Sequence, residues 1–312
     1  MTGIIILNYN NYEDTINCIE SVCKYNTSKV KFIVVDNGSS DKNVVDELDI
    51  YLEGKFSDSY TKVRDESPQL TTIPSAVLCV SDKNDGYARG NNKGLKIAFS
   101  DNTITDILIL NNDVLFTSDI IPILRHHLYL NTNTAVISPL LYKRNGIDLD
   151  YNCARKNIKN NELILEYLLL DQNIWRIKEK LKGKRLLLKQ QPELMKLDSF
   201  EIELPSGSCM LVKKDVFESI GGFDSGTFLF YEENILFKKF QDLGLKSYLV
   251  PSVSCIHLGG ESRSKVPSKF VINKEAESAL YYAKYFGDFN RIQLLLFSIT
   301  IRFFKFLLKL AR

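Results

Sequence analysis

Three short clusters hold residue types that do chemistry together. The apolar run Ile107-Leu108-Ile109-Leu110 ends abruptly in Asn111-Asn112-Asp113. Four large apolar residues in a row read as a strand buried on both faces, and in an open α/β sheet ligands gather at the carboxyl ends of such strands. Alternation along the chain puts Asn111 and Asp113 on one side, around Asn112. A carboxylate and an amide oxygen at that spacing form a partial shell for a hard divalent cation holding phosphate oxygens, although Asn and Asp also favour plain turns. Downstream, Thr227-Phe228-Leu229-Phe230-Tyr231 runs into Glu232-Glu233 at the start of a helical pattern. Acids suit a first helical turn electrostatically; the alternative is that one of the two is a general base whose pKa the nearby rings raise. His257 follows the strand-like Val253-Ser254-Cys255-Ile256 and precedes Gly259-Gly260. Its imidazole reads either as structural or as reaching a metal or phosphate.

The elements that must position these residues alternate between periods of two and 3.6. Ile4 to Leu7 and Lys31 to Val35 read as strands around a helix from Tyr12 to Lys24, the signature of a parallel sheet flanked by helices. The second strand ends in Asp36-Asn37-Gly38-Ser39, where a carboxylate either accepts hydrogen bonds from a base or ribose or merely starts the turn. Residues 53–75 read as an irregular insertion. A third strand, Ala76 to Val80, leads to Asn84-Asp85-Gly86-Tyr87-Ala88-Arg89-Gly90-Asn91-Asn92-Lys93-Gly94, read as a glycine-rich turn ahead of a helix whose N-terminus favours an anion. Residues 118–130 form a helix, 151–197 read as irregular helices around Trp175, and Leu204-Pro205-Ser206-Gly207-Ser208 is a turn entering a strand. The expected organisation is a nucleotide-binding half over 1–115, a second half over 116–262 with a helical insertion at about 151–200, and a C-terminal helical segment over 263–312.

With 312 residues, 45% hydrophobic and 25% charged, the chain is long enough for one large α/β domain or two smaller ones. A net charge of +2 argues against a general nucleic-acid partner. Six cysteines without a CxxC pair fit reduced core residues in a cytosolic protein, and the N-terminus carries no secretory pattern. Basic residues concentrate between Arg176 and Lys189 and again after Arg291. From Ile292 to Ile301 there is no charge, and then Arg302, Lys305, Lys309 and Arg312 form one basic stripe among Phe303, Phe304, Phe306, Leu307, Leu308 and Leu310. Ten uncharged residues fall short of the ~20 that span a bilayer. The pattern predicts a helix lying in the interface of an anionic membrane rather than one packed on the core.

Taken in order, Ile5-Ile6-Leu7-Asn8-Tyr9-Asn10, Val34-Val35-Asp36-Asn37-Gly38-Ser39, the Asn84 to Gly94 stretch, Leu110-Asn111-Asn112-Asp113, Pro205 to Tyr231, Glu232-Glu233 and His257-Leu258-Gly259-Gly260 resemble glycosyltransferase family 2. These are inverting nucleotide-sugar transferases with a GT-A fold, and the likeness is to bacterial rhamnosyltransferases and capsule or O-antigen enzymes. The resemblance implies an α/β fold with a mostly parallel central sheet, a helical insertion and a C-terminal amphipathic helix. It implies that Asp36 accepts from a pyrimidine ring, that Asn8 and Tyr9 frame the base, and that Asn84, Gly86, Arg89 and Asn92 lie along ribose and diphosphate. Asn112 and Gly207 fall in matched stretches and join the donor-binding set. Asp113, with Asn111 and His257, would hold Mg²⁺ or Mn²⁺, and Glu233 beside Glu232 would be the catalytic base. The position often aspartate in the family is Asn111, one formal charge fewer, and the base is Glu rather than Asp, one methylene longer.

The implied reaction moves a sugar from a UDP- or dTDP-sugar to a saccharide acceptor, lipid-linked given the C-terminal helix, at the inner face of the plasma membrane in surface polysaccharide synthesis. Two other classes compete: a silent relative acting as a binding scaffold, and a sugar nucleotidyltransferase. Retention of Asp36, Asp113, Glu233 and His257 together opposes the first. The second expects a glycine-rich signature near the N-terminus, where this chain has Asn8-Tyr9-Asn10-Asn11.

Overall fold

The computed structural model describes residues 1–64, 72–168, 182–259 and 268–310. Trp175, the basic residues 176–181, Gly260 and Arg312 lie outside the described residues, as does the side chain of Lys309. Among the described residues the main elements are β1 (Thr2–Asn8), α1 (Tyr12–Tyr25), β2 (Val30–Asp36), α2 (Lys42–Phe56), β3 (Tyr60–Arg64), β4 (Ala76–Val80), α3 (Gly86–Ser100), β5 (Asp106–Asn111), β6 (Val114–Phe116), α4 (Ile121–Leu130), β7 (Thr134–Lys143), β8 (Ala154–Arg155), α5 (Asn160–Leu168), β9 (Phe200–Ile202), β10 (Leu204–Pro205), β11 (Cys209–Lys213), α6 (Lys214–Ser219), α7 (Glu232–Asp242), β12 (Lys246–His257), α8 (Ser268–Tyr285) and α9 (Arg291–Leu310).

One ten-stranded sheet runs in the order β3-β4-β2-β1-β5-β11-β7-β12-β6, with β9 on β12. β1 to β5 pair parallel, and β11 then enters antiparallel between β5 and β7. The sheet is continuous across residue 115. Its two faces follow from strand alternation. Ile4 and Ile6 pack with α1, α2 and α4, while Ile5 faces the α3, α6 and α7 side with Leu95, Phe217 and Phe240. A third cluster, away from the sheet, joins α5, α8 and α9 through Leu163, Tyr167, Ala279, Tyr282, Phe297 and Ile301.

Several local expectations are corrected. The stretch read as an irregular insertion holds the end of α2 and the edge strand β3, whose polar Lys62 and Arg64 suit a sheet edge. The glycine-rich stretch is not a turn but α3 itself, starting at Gly86. A Cβ on Gly90 would lie 2.6 Å from Leu7 Cδ1, and one on Gly94 2.6 Å from Ile5 Cγ2, so both glycines let the helix settle on β1. The strand-like Val253 to Ile256 is the end of a longer strand, β12, that passes through Pro251 and whose register breaks between Val250 and Ser254, a position that tolerates proline. The segment from 151 is not wholly helical, since β8 pairs with β10.

The C-terminal helix packs one face on the core and leaves an apolar stripe exposed. Phe297 and Ile301 are buried against α5 and α8, while Ile292, Leu295, Leu296, Ile299, Phe303 and Phe306 are exposed. At 100° per residue these six fall on one stripe opposite the packed face.

Candidate active site

Parallel pairing sets the ends of β1, β2 and β5 side by side, with Asn8 opposite Asp36 and Leu7 opposite Asn111. Asn8 Nδ2 donates to Asp36 Oδ1 at 2.8 Å, and Thr15 Oγ1 donates to Asn8 Oδ1 at 2.9 Å. Ser39 donates its hydroxyl to Oδ1 and its amide to Oδ2 of Asp36, the latter at 3.1 Å. Asp36 is 1% exposed and closes its own turn; a carboxylate has about four acceptor positions, so the donors already present leave room for one more. Tyr9 follows, half-buried. Asn37, which no motif singled out, donates to Asn84 Oδ1 (3.0 Å) and to the Gly86 carbonyl (3.1 Å), tying the β2 turn to the start of α3.

The first turn of α3 is already capped. The Asn84 amide oxygen accepts from Gly86 N–H (2.9 Å), and Tyr87 N–H donates to the Phe228 carbonyl at 2.8 Å. Gly86 has φ +84, and a Cβ there would sit 2.2 Å from the Phe228 oxygen, so only glycine admits that crossing. Arg89 Nε donates to the Ser225 carbonyl (3.0 Å), and Asn92 exchanges two hydrogen bonds with the Phe223 backbone. Gly86, Arg89 and Asn92 therefore hold the 223–228 loop. Of the candidate residues, Asn84 and Arg89 rim a cavity of about 260 Å³ with Thr227, Phe228 and Lys274. A larger cavity, about 520 Å³, lies on another face of α7 beside Asn157, Phe237 and Tyr282 and includes none of the candidate residues.

Asp113 sits in the β5–β6 turn, and antiparallel pairing of Val114 with His257 brings the end of β12 against it. His257 Nε2 is 3.5 Å from Asp113 Oδ1 and 3.3 Å from Ser208 Oγ, and Nδ1 is 3.4 Å from Asp150 Oδ2. Asn111 Nδ2 reaches the same Ser208 hydroxyl at 3.3 Å. Asn112 turns away and donates to the Asn11 carbonyl (3.2 Å) and Thr15 Oγ1 (3.1 Å) at the start of α1. Burial pushes the His257 pKa down, but Asp113 and Asp150 outweigh it and raise it to about 9. Burial would raise the Asp150 carboxyl, yet His257 and Asn152 together hold it below its usual range.

A carboxylate, an imidazole and an amide or hydroxyl oxygen form a donor set that suits Mn²⁺ or Mg²⁺. Among the described residues no three His, Cys, Asp or Glu side chains converge as a metal cluster. The protein would thus supply Asp113 and His257 and leave positions for phosphate oxygens.

On the other side of the 205–208 turn, Phe230 (φ 74) and Tyr231 (φ 69) enter α7 in the left-handed region, an uncommon conformation for bulky side chains. Glu232, 5% exposed, accepts from Thr227 Oγ1 at 3.0 Å. Burial, reinforced by the charge of Glu233, raises its pKa to about 8. Glu233 Oε1 accepts from Gly207 N–H (3.1 Å) and lies 3.4 Å from Arg155 Nη2. The Tyr87 hydroxyl donates to the Gly207 carbonyl at 2.7 Å, so this glycine is held at both ends of its backbone. Ser208 and Gly207 are adjacent, and one turn joins the Asp113–His257 cluster to Glu233. Asp150 and Arg155 carried no sequence signal; Tyr87 and Ser208 had one only as members of their stretches.

Comparison with known proteins gives the family. The model described as glycosyl transferase family 2 matches residues 3–221. The low-salt glycan biosynthesis hexosyltransferase Agl10 of Haloferax volcanii is 26% identical over 231 residues, 74% of this chain and 58% of that protein. The N-acetylglucosaminyl-diphospho-decaprenol L-rhamnosyltransferase of Mycobacterium tuberculosis is 30% identical over 78 residues, 25% of each. The chain thus spans less than two thirds of either relative. Among solved structures, GalNAc-T7 with UDP, GalNAc and Mn²⁺ superposes with a TM-score of 0.60 at 13% identity, covering 91% of this chain and 48% of that one. The mannosyltransferase PcManGT from Pyrobaculum calidifontis, in complex with GDP-Man and Mn²⁺, gives 0.52 at 13% identity over 99% and 70%. At that identity the two structures speak for the GT-A fold alone. With most of its length matched by the family model, the chain belongs to glycosyltransferase family 2.

Proposed function

We propose that this glycosyltransferase moves a sugar, with inversion, from a UDP- or dTDP-sugar to a lipid-linked saccharide in polysaccharide synthesis. The observation that carries the reading is the Gly207-Ser208 step: Ser208 touches His257 and Asn111, and Gly207 N–H holds Glu233. A group that steadies a departing diphosphate and a carboxylate base are then fixed to one turn, on two sides of where the anomeric carbon must lie. Asp113 and His257 would hold a divalent cation, which neutralises charge on the leaving nucleoside diphosphate. Glu233 takes the proton of the acceptor hydroxyl as its oxygen attacks. Asp36 serves the pyrimidine through its remaining acceptor position, and Asn8 orients Asp36.

A donor screen tests this, scoring nucleoside diphosphate release with Mn²⁺ across UDP-, dTDP- and GDP-sugars, for the native chain and Glu233→Gln. The native chain should turn over a pyrimidine donor, and the variant should lose ~10²–10⁴-fold in kcat while binding donor normally. Turnover with a GDP-sugar alone would refute the pyrimidine reading, and near-native turnover by Glu233→Gln would remove it as base.

Membrane docking belongs to the same proposal. None of the helices among the described residues is long and apolar enough to cross a bilayer. The exposed stripe on α9 has exposed Arg302 along one edge, the arrangement of a helix that lies in the headgroup region. Because the opposite face is core, deleting α9 would strip Phe297 and Ile301 from their contacts and unfold the region. The discriminating variant is Leu295→Gln/Ile299→Gln/Phe303→Gln. It should keep native stability and lose sedimentation with vesicles rich in phosphatidylglycerol; unchanged sedimentation removes the docking reading.

A further inference from the structure

Arg155 is held in place more firmly than its short strand requires. Its backbone pairs with Leu204 on one side and forms an isolated bridge with Leu186 on the other. Its guanidinium points at Glu233, with Nη2 3.4 Å from Oε1, and the two side chains are 28% and 20% exposed. Arg155 Nε is buried with no hydrogen-bond partner among the described residues. A buried N–H without a partner lowers stability, so folding alone is a poor reason for an arginine here. Lysine or methionine would fill the same path without the orphaned group.

We propose that Arg155 is a positioning residue for Glu233: with the Gly207 amide it fixes Oε1, so that Oε2 is presented to the acceptor hydroxyl. The inference rests on the reading of Glu233 as base. In the step served, the acceptor oxygen forms its bond to the anomeric carbon and its proton passes to Glu233 Oε2. The bond to the nucleoside diphosphate breaks with its electron pair leaving on phosphate. Two donors converging on one carboxylate oxygen remove the rotation that would let either oxygen face the substrate, and misplacement by about 1 Å can cost ~10²-fold in rate.

The groups facing Glu233 are Arg155 from β8, Glu232 from its own helix and the Tyr87 phenol from α3. Tyr87 is buried and kept neutral, and Glu232 retains its proton near neutrality, so Arg155 brings the one full charge among the three.

The test measures kcat and donor KM for Arg155→Gln, Arg155→Lys and Glu233→Gln. Arg155→Gln should lose about 10²-fold in kcat with donor KM unchanged. Arg155→Lys should recover most of that loss. Should the Gln variant fail to fold, Arg155→Met keeps the apolar stem and answers the same question. A raised donor KM, or a kcat loss with no recovery by Lys, overturns the proposal. Native kcat in Arg155→Gln overturns it too, while Glu233 can stand. If Glu233→Gln itself turns over normally, it is the base reading that has failed.

Discussion

Asp113 and Asp150 face one shared imidazole, whereas Glu232 and Glu233 face different partners: Thr227 for the first, Gly207 and Arg155 for the second. The two clusters lie on either side of one four-residue turn and handle acid in opposite ways. Around His257, Asp113 and Asp150 hold the imidazole as a cation well above its ordinary range, and Asp150 is itself held below the usual carboxylate range. In α7 burial keeps Glu232 neutral, which spares Glu233 a like-charged neighbour one residue away. The contrast teaches that residue type alone does not set the role here; what each carboxylate faces decides whether it holds a cation or takes a proton.

The strongest way to break that contrast is through Glu232. With a folded pKa raised to about 8 and an ordinary value of 4.5 when unfolded, the native state holds a proton that the unfolded chain releases between those limits. This contribution to stability is complete below about pH 4.5 and is lost as pH rises through 8. Glu232→Gln keeps an acceptor for Thr227 and removes the titration. It should match the native chain near pH 4.5 and exceed it at pH 7 by on the order of 3 kcal/mol, at about 1.4 kcal/mol per pH unit. Urea midpoints at the two pH values read this directly. An equal offset at both would mean that Glu232 is ionised throughout, and the contrast between the clusters would collapse.

How much of this was legible in the sequence follows from the kind of contact involved. Ile4 to Leu7 and Ile107 to Leu110 were readable as central strands because burial on both faces leaves an unbroken apolar run. Asp36, Asn111 and Asp113 were readable as candidates because strand ends are where such sheets place polar groups, and Asn8 only through the family resemblance. β3 was missed because an edge strand needs no apolar pattern, and Gly90 and Gly94 were misread because glycine marks a turn and a tight helix–sheet contact alike. Arg155 and Asp150 were out of reach. Each meets its partner across a long separation in sequence, 78 residues to Glu233 and 107 to His257, and neither sits in a periodic segment. On α9 the apolar residues were all visible, but their number could not say that one face would pack on α5 and α8 while the other stayed open.

A smaller effect sharpens the comparison from the histidine side. The ion pairs of His257 stabilise the fold fully below about pH 6.5, and that contribution is lost as pH rises through 9. An imidazole must shed its proton to ligate a metal, so Mn²⁺ affinity should climb about tenfold per pH unit until it levels near 9. Asp150 accepts at Nδ1, which fixes the ring and would strengthen Nε2 as a ligand under the proposed function. Asp150→Asn should therefore level off at lower pH, because the proton is held less firmly, and should bind about 10–100-fold more weakly on the plateau. Mn²⁺ titrations of both proteins between pH 6 and 9.5 separate the two consequences. A native affinity that does not change over that range would take His257 out of the proposed metal set and leave Asp113 in it, with the imidazolium acting on phosphate as a fixed charge instead.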